Sequence, residues 1–171
     1  MATFGYNTAG ATSQVTSSSF AYCMTASNFG YTGISGEQVD TIEMNCLATT
    51  GTVDGGVAVY DFTGGDNLPD NLLTSGIITA TTTRAWRQAI VNTSVVAGTI
   101  YGAALWNGGD ITLTYYWDSG ASGDLAYQAG NFPNPWTAGT ILSRKYSVFA
   151  VTSAIAGGAT IPILAYHHNH N

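Results

Sequence analysis

Charge is what this sequence has least of. Only 8% of its 171 residues are charged, against ~25% in an average soluble domain. Four basic residues stand against ten acidic ones, which gives a formal net charge of -6. Nucleic-acid binding depends mainly on basic side chains that neutralise phosphates, so the composition argues against a nucleic-acid partner. Hydroxyl and amide side chains must provide solubility, a composition common in extracellular and virion β-proteins.

Long apolar runs are also missing. No run approaches the ~20 residues that span a bilayer, and residues 1–5 lack the basic and apolar regions of a secretory signal. The sequence therefore predicts a soluble chain with no membrane partner. If Met1 is the true start, the chain is not exported by the usual signal route.

Cysteine is limited to Cys23 and Cys46, each in a strand-like run (residues 20–25 and 39–47). If these runs pair antiparallel, the thiols could lie opposite each other. A disulfide closing a loop of about 23 residues would then stabilise the fold by about 3 kcal/mol. Two buried free thiols are the alternative, equally supported by the sequence. Two cysteines without a neighbouring histidine do not make a zinc site.

Side chains suited to acid-base catalysis are scarce. Glu37 and Glu43 are the only glutamates, and all three histidines fall within the last five residues. Hydrolysis needs paired carboxylates or a nucleophile with its base, and no Gly-x-Ser-x-Gly elbow joins a strand to a helix. We therefore predict that the chain is not an enzyme and holds no cofactor.

Metal binding has two weak candidates. The terminal histidines could chelate a transition metal, and four aspartates in neighbouring loops offer oxygen donors for calcium. Those aspartates are Asp54, Asp61, Asp66 and Asp70. They lack the 12-residue calcium-loop pattern. A solvated tail and solvated turn aspartates are the simpler interpretations, and no metal site is predicted.

Alternating apolar and polar residues, rich in β-branched side chains, dominate the middle of the chain. About eight strands are predicted, at residues 20–25, 39–49, 57–62, 77–83, 85–91, 99–106, 111–117 and 144–152. In the second, Val39, Thr41, Glu43 and Asn45 are expected on a polar face opposite Ile42, Met44 and Cys46. The turn spacing is typical of a two-sheet antiparallel sandwich, so we expect a single-domain, all-β fold.

Small residues dominate both ends of the chain. We divide it into an extended N-terminal arm (residues 1–19), a β-sandwich domain (20–152) and a C-terminal arm (153–171). The N-terminal arm carries Phe4 and Tyr6, whose rings could dock on the domain itself or on a neighbouring subunit. In the C-terminal arm, residues 161–164 could add a strand to a sheet edge or reach another subunit.

Aromatic residues concentrate between positions 110 and 136. Tyr115 and Trp117 share a strand face with Ile111 and Leu113, which favours the core for both rings. The loop 118–143 is longer than usual, and such loops are often functional. Sugar rings stack on aromatic faces while amides and carboxylates orient their hydroxyls. The candidate residues for contact with a glycan or a neighbouring subunit are Trp117, Asp118, Tyr127, Gln128, Asn131, Phe132 and Trp136.

Several short phrases occur in a familiar order. They are FGYNTAGA at residues 4–11, VAVYD at 57–61, LL at 72–73, YGAALW at 101–106 and RKYSVFA at 144–150. Together with the aromatic loop they resemble a loosely defined group of jelly-roll β-sandwich modules. Such modules are similar to non-catalytic carbohydrate-binding modules and recur in phage structural proteins and secreted surface proteins. The resemblance implies a jelly roll without catalytic residues, and leaves the cysteine pair and the tail unexplained.

The main functional hypothesis is a non-enzymatic structural protein of a phage virion, as a decoration, fibre or tail component. It would assemble with itself or with other virion subunits through its sandwich and arms, on the surface of the virion or another extracellular particle. The alternative is a carbohydrate-binding module that uses the 118–136 loop against a surface polysaccharide. A subunit of an extracellular fibril is a third possibility.

Overall fold

The computed structural model describes residues 1–15, 18–108, 110–137 and 139–155. Within these ranges the chain forms fourteen β-strands and one helix of four residues. In chain order these are β1 (Ala2–Gly5), β2 (Thr12–Gln14), β3 (Phe20–Met24), α1 (Ala26–Phe29), β4 (Tyr31–Thr32), β5 (Glu37–Ala48), β6 (Thr52–Asp61), β7 (Leu72–Thr81), β8 (Ala85–Ser94), β9 (Ile100–Trp106), β10 (Leu113–Ser119), β11 (Leu125–Ala129), β12 (Thr140–Leu142), β13 (Arg144–Tyr146) and β14 (Val148–Ala154). In this described part, no helix has the length and apolar character needed to cross a membrane.

Two antiparallel sheets of seven strands each account for these strands. Sheet A has the order β1-β14-β5-β10-β13, with β2 beside β10 and β8 beside β5. Sheet B has the order β12-β11-β3-β9-β6-β7, with β4 beside β9. The side chains that point between the sheets form the main core.

Nested strand pairing gives the sandwich its jelly-roll topology. The innermost pair is β6 with β7 in sheet B, followed outward along the chain by β5 with β8 in sheet A. Next come β3 and β4 with β9 in sheet B, and then β2 with β10 in sheet A. Successive pairs alternate between the sheets, which is how a jelly roll wraps. The predicted all-β jelly-roll sandwich is confirmed.

The strand count exceeds the predicted eight because segments assigned to an arm and a loop also pair. The N-terminal arm contributes β1 and β2, and the predicted loop 118–143 contributes β11 and β12. The last predicted strand, 144–152, divides into β13 and β14. The aromatic loop is therefore shorter than expected, and part of it belongs to sheet B.

The N-terminal arm is built into the sandwich. β1 pairs with β14 of the same chain, and Phe4 is buried in the core. The Tyr6 hydroxyl donates a hydrogen bond to Asp118 at 2.7 Å. Of the two docking alternatives, both rings therefore dock on their own domain. Strand β14 extends to Ala154, and the C-terminal arm from residue 156 onward, including residues 161–164, lies outside the described residues.

A bulge in β5 corrects one face assignment. Consecutive residues of β14, Val151 and Thr152, pair with Thr41 and Val39, so Asp40 is an extra residue in β5 and reverses the side-chain alternation there. Val39 is fully buried in the core beside Ile42. Its predicted place on the polar face is wrong, whereas Thr41 and Glu43 point away from the core.

The two cysteines are free and lie in different sheets, Cys23 in sheet B and Cys46 in sheet A. Cys23 is in β3, which pairs with β9 and β11, whereas Cys46 is in β5, which pairs with β8, β10 and β14. The two strands do not pair with each other, so the arrangement that a disulfide would need is not formed. Burial raises the pKa of both thiols, that of Cys46 to about 12. The chain thus has the alternative arrangement, two buried thiols.

Candidate functional site

The predicted contact residues lie in three separate places. Trp117 and Asp118 are on β10 in sheet A, and Tyr127 and Gln128 are on β11 in sheet B. The remaining three follow β11 in the chain, where Asn131 is exposed while the rings of Phe132 and Trp136 are buried. The aromatic loop is therefore not one continuous contact surface.

Trp117 and Asp118 hold the N-terminal segment and one end of the sandwich together. The Arg144 guanidinium stacks over the Trp117 ring at 4.4 Å. One Asp118 carboxylate oxygen accepts from the Tyr6 hydroxyl, and the other accepts from the Ala11 backbone N–H at 2.8 Å. The Ala11 bond and then the Tyr6 bond lower the pKa of Asp118. Both oxygens have structural partners, which limits what Asp118 can offer a ligand.

Phe132 and Trp136 cover the outer face of sheet B. Trp136 is 6% exposed and stands edge-on to Tyr60, with ring centroids 5.2 Å apart. Phe132 is 9% exposed and lies 6.3 Å from the Trp106 ring. The Tyr60 hydroxyl donates to the backbone carbonyl of Pro133 at 2.9 Å, which fixes the loop over the sheet. We call this assembly the covered cluster, and its rings leave little surface for a glycan.

Glycine is required beneath this cluster. A Cβ atom on Gly56 would lie 2.7 Å from Phe132 Cε2 and 2.9 Å from Trp106 Cε3. Both distances are far below van der Waals contact, so the two rings can approach the sheet only because position 56 lacks a side chain. Gly55 and Gly56 form a pair that is typical of turns, yet both lie inside β6. Gly56 leaves room for the aromatic rings of the loop.

The loop aspartates act as acceptors for turns. Asp70 accepts from the backbone N–H groups of Thr63 and Gly64, at 2.5 and 2.6 Å, and Asp61 accepts from the Asn71 N–H at 2.9 Å. Within the described ranges, no group of three or more His, Cys, Asp or Glu side chains is arranged to hold a metal. The three histidines belong to residues 156–171.

Tyr127 and Gln128 line a surface depression of about 260 Å³ together with Ala129, Gly139 and Thr140. The half-buried Tyr127 ring stacks on Tyr22 with centroids 5.9 Å apart. The Gln128 amide exchanges two hydrogen bonds with Thr137, accepting from its N–H at 3.2 Å and donating to its hydroxyl at 3.3 Å. Tyr127 and Gln128 are neighbours on β11, so their side chains lie on opposite faces of sheet B, the ring against the main core and the amide beside Thr137.

The depression also borders the covered cluster. A Cβ atom on Gly139 would lie 2.9 Å from the Trp136 indole nitrogen. Gly139 therefore allows the edge of sheet B to approach the buried tryptophan closely. The depression has a rigid aromatic support on one side because Trp136 packs on Tyr60.

Sequence reasoning missed a second surface, on the outer face of sheet A. Trp86 on β8 and Phe149 on β14 meet across β5, with ring centroids 5.0 Å apart at 74°. Glu43 pairs directly with Phe149 and lies on the same face. We call Glu43, Trp86 and Phe149 the open-face patch, since all three are half-buried. Alternation in residues 85–91 places Trp86 opposite the buried Ala89, a signal that could have marked the ring as outward-facing.

Comparison with known proteins shows the fold alone. No protein-family model and no curated protein matches the chain. Among solved structures, one similar chain comprises the cysteine protease and lectin-like domains of Cwp84, a surface-layer-associated protein of Clostridium difficile, with a TM-score of 0.56 and 13% identity. A second is the clostridial cysteine protease Cwp84 after propeptide cleavage, with a TM-score of 0.54 and 13% identity. Each match covers 90% of this chain but only 36% and 40% of the other.

Proposed function

We propose that this chain is a non-enzymatic carbohydrate-binding β-sandwich module of an extracellular surface protein. The observation that carries the proposal is the depression at the edge of sheet B, whose lining includes an aromatic, an amide and a hydroxyl residue, Tyr127, Gln128 and Thr140. A sugar offers an apolar C–H face for a ring and hydroxyls for amides and hydroxyls. Residues of both kinds line the depression.

The size and rigidity of the depression favour a small, specific contact. Its volume of about 260 Å³ is below the ~300–1,000 Å³ of pockets that enclose drug-sized ligands, which suits a single sugar unit. The Gln128 amide is already oriented by Thr137, and the Tyr127 ring is held by Tyr22 and Phe20. Binding would therefore cost little side-chain entropy.

The structural neighbours are consistent with this proposal. The protein that this chain resembles in fold is described as surface-layer associated and contains a lectin-like domain. At 13% identity the likeness does not transfer a ligand or a set of binding residues. It favours a surface glycan as partner over the virion subunits expected from the sequence.

The virion and fibril hypotheses require arms that reach neighbouring subunits. Strands β1 and β2 instead pair with β14 and β10 of their own chain. The N-terminal arm is thus used within the fold, and the assembly hypotheses lose one of the two segments on which they depend. A role in particle assembly is accordingly the second hypothesis.

A glycan array with matched glutamine variants tests the carbohydrate proposal. Wild-type protein is expected to be retained by at least one glycan, and Gln128→Ala is expected to lose most of that retention. The control is Gln38→Ala, because Gln38 lies on β5 and bonds Asp40, away from the depression. Both variants should unfold at the wild-type temperature. Absence of any retained glycan, or equal retention of the two variants, would contradict the proposal.

A further inference from the structure

The open-face patch presents a carboxylate that no residue of the described ranges neutralises. Glu43 lies at the centre of the face, paired with Gln88 of β8 on one side and Phe149 of β14 on the other. Among residues 1–15, 18–108, 110–137 and 139–155, no hydrogen-bond or ion-pair partner of Glu43 is present. Desolvation alone raises the pKa of its carboxyl. A cationic group from outside that paired with this carboxylate would offset the cost of its partial desolvation.

Aromatic rings flank the carboxylate. Trp86 and Phe149 form an edge-to-face pair, 5.0 Å between centroids, next to Glu43 on the same sheet face. Aromatic faces attract cations, tryptophan most strongly, by about 0.5–1 kcal/mol at exposed sites and more when desolvated. A carboxylate beside a tryptophan therefore favours a positively charged ligand group on two separate grounds.

The chain cannot supply that cation from its own described contacts. It has four basic residues in all. Three of them already stack on other rings: Arg84 over Tyr116 at 3.6 Å, Arg144 over Trp117 at 4.4 Å and Lys145 over Tyr6 at 4.9 Å. The fourth, Arg87, donates to the Thr81 hydroxyl. Three aromatic rings of the molecule are thus paired with a cation. The open-face patch has an aromatic ring and a carboxylate but no cation from the described residues.

We propose that the open-face patch binds a lysine or arginine side chain presented by a partner polypeptide. The cationic group would lie against the Trp86 ring and pair with the Glu43 carboxylate. Long-range attraction would assist the encounter, because the chain carries a net charge of -6. The patch is separate from the glycan depression, which lies at the edge of sheet B.

Charge argues against a second copy of this chain as the occupant. A two-fold contact through the patch would bring two Glu43 carboxylates together, and like charges in one site repel. The basic residues that could relieve this repulsion are already stacked or hydrogen-bonded. A neutral glycan could bond the carboxylate but would leave its charge unpaired.

The test uses the full chain and a blocked peptide, Gly-Gly-Arg-Gly-Gly, with a citrulline analogue as the uncharged match. Titration is followed by the NMR shift of the Trp86 indole N–H. The arginine peptide should shift this signal, and Glu43→Gln should weaken binding by at least about 10-fold, which corresponds to about 1.4 kcal/mol. Asp66→Asn is the matched control, since it removes one negative charge from a loop on the sheet B side.

Four results of this titration would overturn the proposal, and a fifth comes from a separate titration with oligosaccharide. They are no shift of the Trp86 signal, equal binding of the citrulline peptide, equal weakening by Asp66→Asn, and concentration-dependent self-association that shifts the Trp86 signal without peptide. A shift caused by a neutral oligosaccharide in place of the peptide would also contradict it. The glycan array tests the effect of Gln128→Ala and involves no residue of the open-face patch. Either proposal can therefore fail while the other stands.

Discussion

The two outer faces of the sandwich differ in what lies over them. On sheet B, the loops around Phe62 and residues 130–137 place rings on Tyr60 and bury Trp136 to 6% exposure. On sheet A, Trp86 and Phe149 stay half-buried beside the charged Glu43. The covered cluster therefore adds a second apolar core outside the sheets, whereas the open-face patch keeps its rings available. Similar rings are buried on one face and remain partly exposed on the other.

Truncating one tryptophan on each face gives the largest expected contrast. Trp136→Ala should lower the free energy of unfolding by about 3–5 kcal/mol, because it empties a buried ring site. Trp86→Ala should lower it by only about 1 kcal/mol, because its ring is partly exposed and leaves no enclosed cavity. Urea denaturation measures both. Equal losses would break the distinction between the faces.

Adding a methyl group beneath the covered cluster should have an intermediate effect. In Gly56→Ala the new carbon would come within 2.7 Å of Phe132, so the rings must move, at a cost of about 1–3 kcal/mol. Thr41→Ala on the outer side of sheet A is the control and should change stability by about 0.5 kcal/mol or less. Unchanged stability of Gly56→Ala would mean that the loop rings rest loosely on sheet B.

Neutralising Glu43 should have the smallest effect and a defined pH dependence. Burial raises the folded-state pKa of this carboxyl, so the native state binds its proton more readily than the unfolded chain does. Stability then falls as the pH rises from the normal glutamate pKa through the raised folded value. Glu43→Gln should match wild type at acidic pH and be slightly more stable at neutral pH, by less than about 1 kcal/mol because solvent screens the group.

Unfolding curves of Glu43→Gln and wild type between acidic and neutral pH provide the measurement. Glu37→Gln is the matched control, because Glu37 accepts a hydrogen bond from the Tyr31 hydroxyl and its neutralisation brings no such gain. A loss of stability at neutral pH in Glu43→Gln would show that the carboxylate has a stabilising partner in the folded protein.

Much of the sandwich was predictable because alternation is a local property. Period-two alternation indicates strands such as β5 and β10. Tyr115 lies in the core, as the apolar residues on the same strand face predict. The bulge beside Val39 was not predictable, since a single extra residue leaves no trace in composition. The pairing of β1 with β14 was missed because it joins the two ends of the chain.

The candidate site was harder to predict than the fold. The sequence places Phe132 and Trp136 in a loop and suggests that their rings are accessible. They are buried because they contact Tyr60 and Trp106, which are distant in sequence. The sequence predicts a strand at residues 85–91 but gives no sign of the contact between Trp86 and Phe149, which are also distant in sequence. Whether a ring is covered depends on long-range packing, which strand periodicity does not encode.

The most direct test of the difference between the faces is the accessibility of the tryptophan indole N–H groups to a soluble paramagnetic agent. All four tryptophans give separate NMR signals in principle, and the indole nitrogen of Trp136 is fully buried. We expect strong broadening of the Trp86 signal and none of the Trp136 signal. Equal broadening of the two would contradict it, because the rings on sheet B would then be as open as those on sheet A.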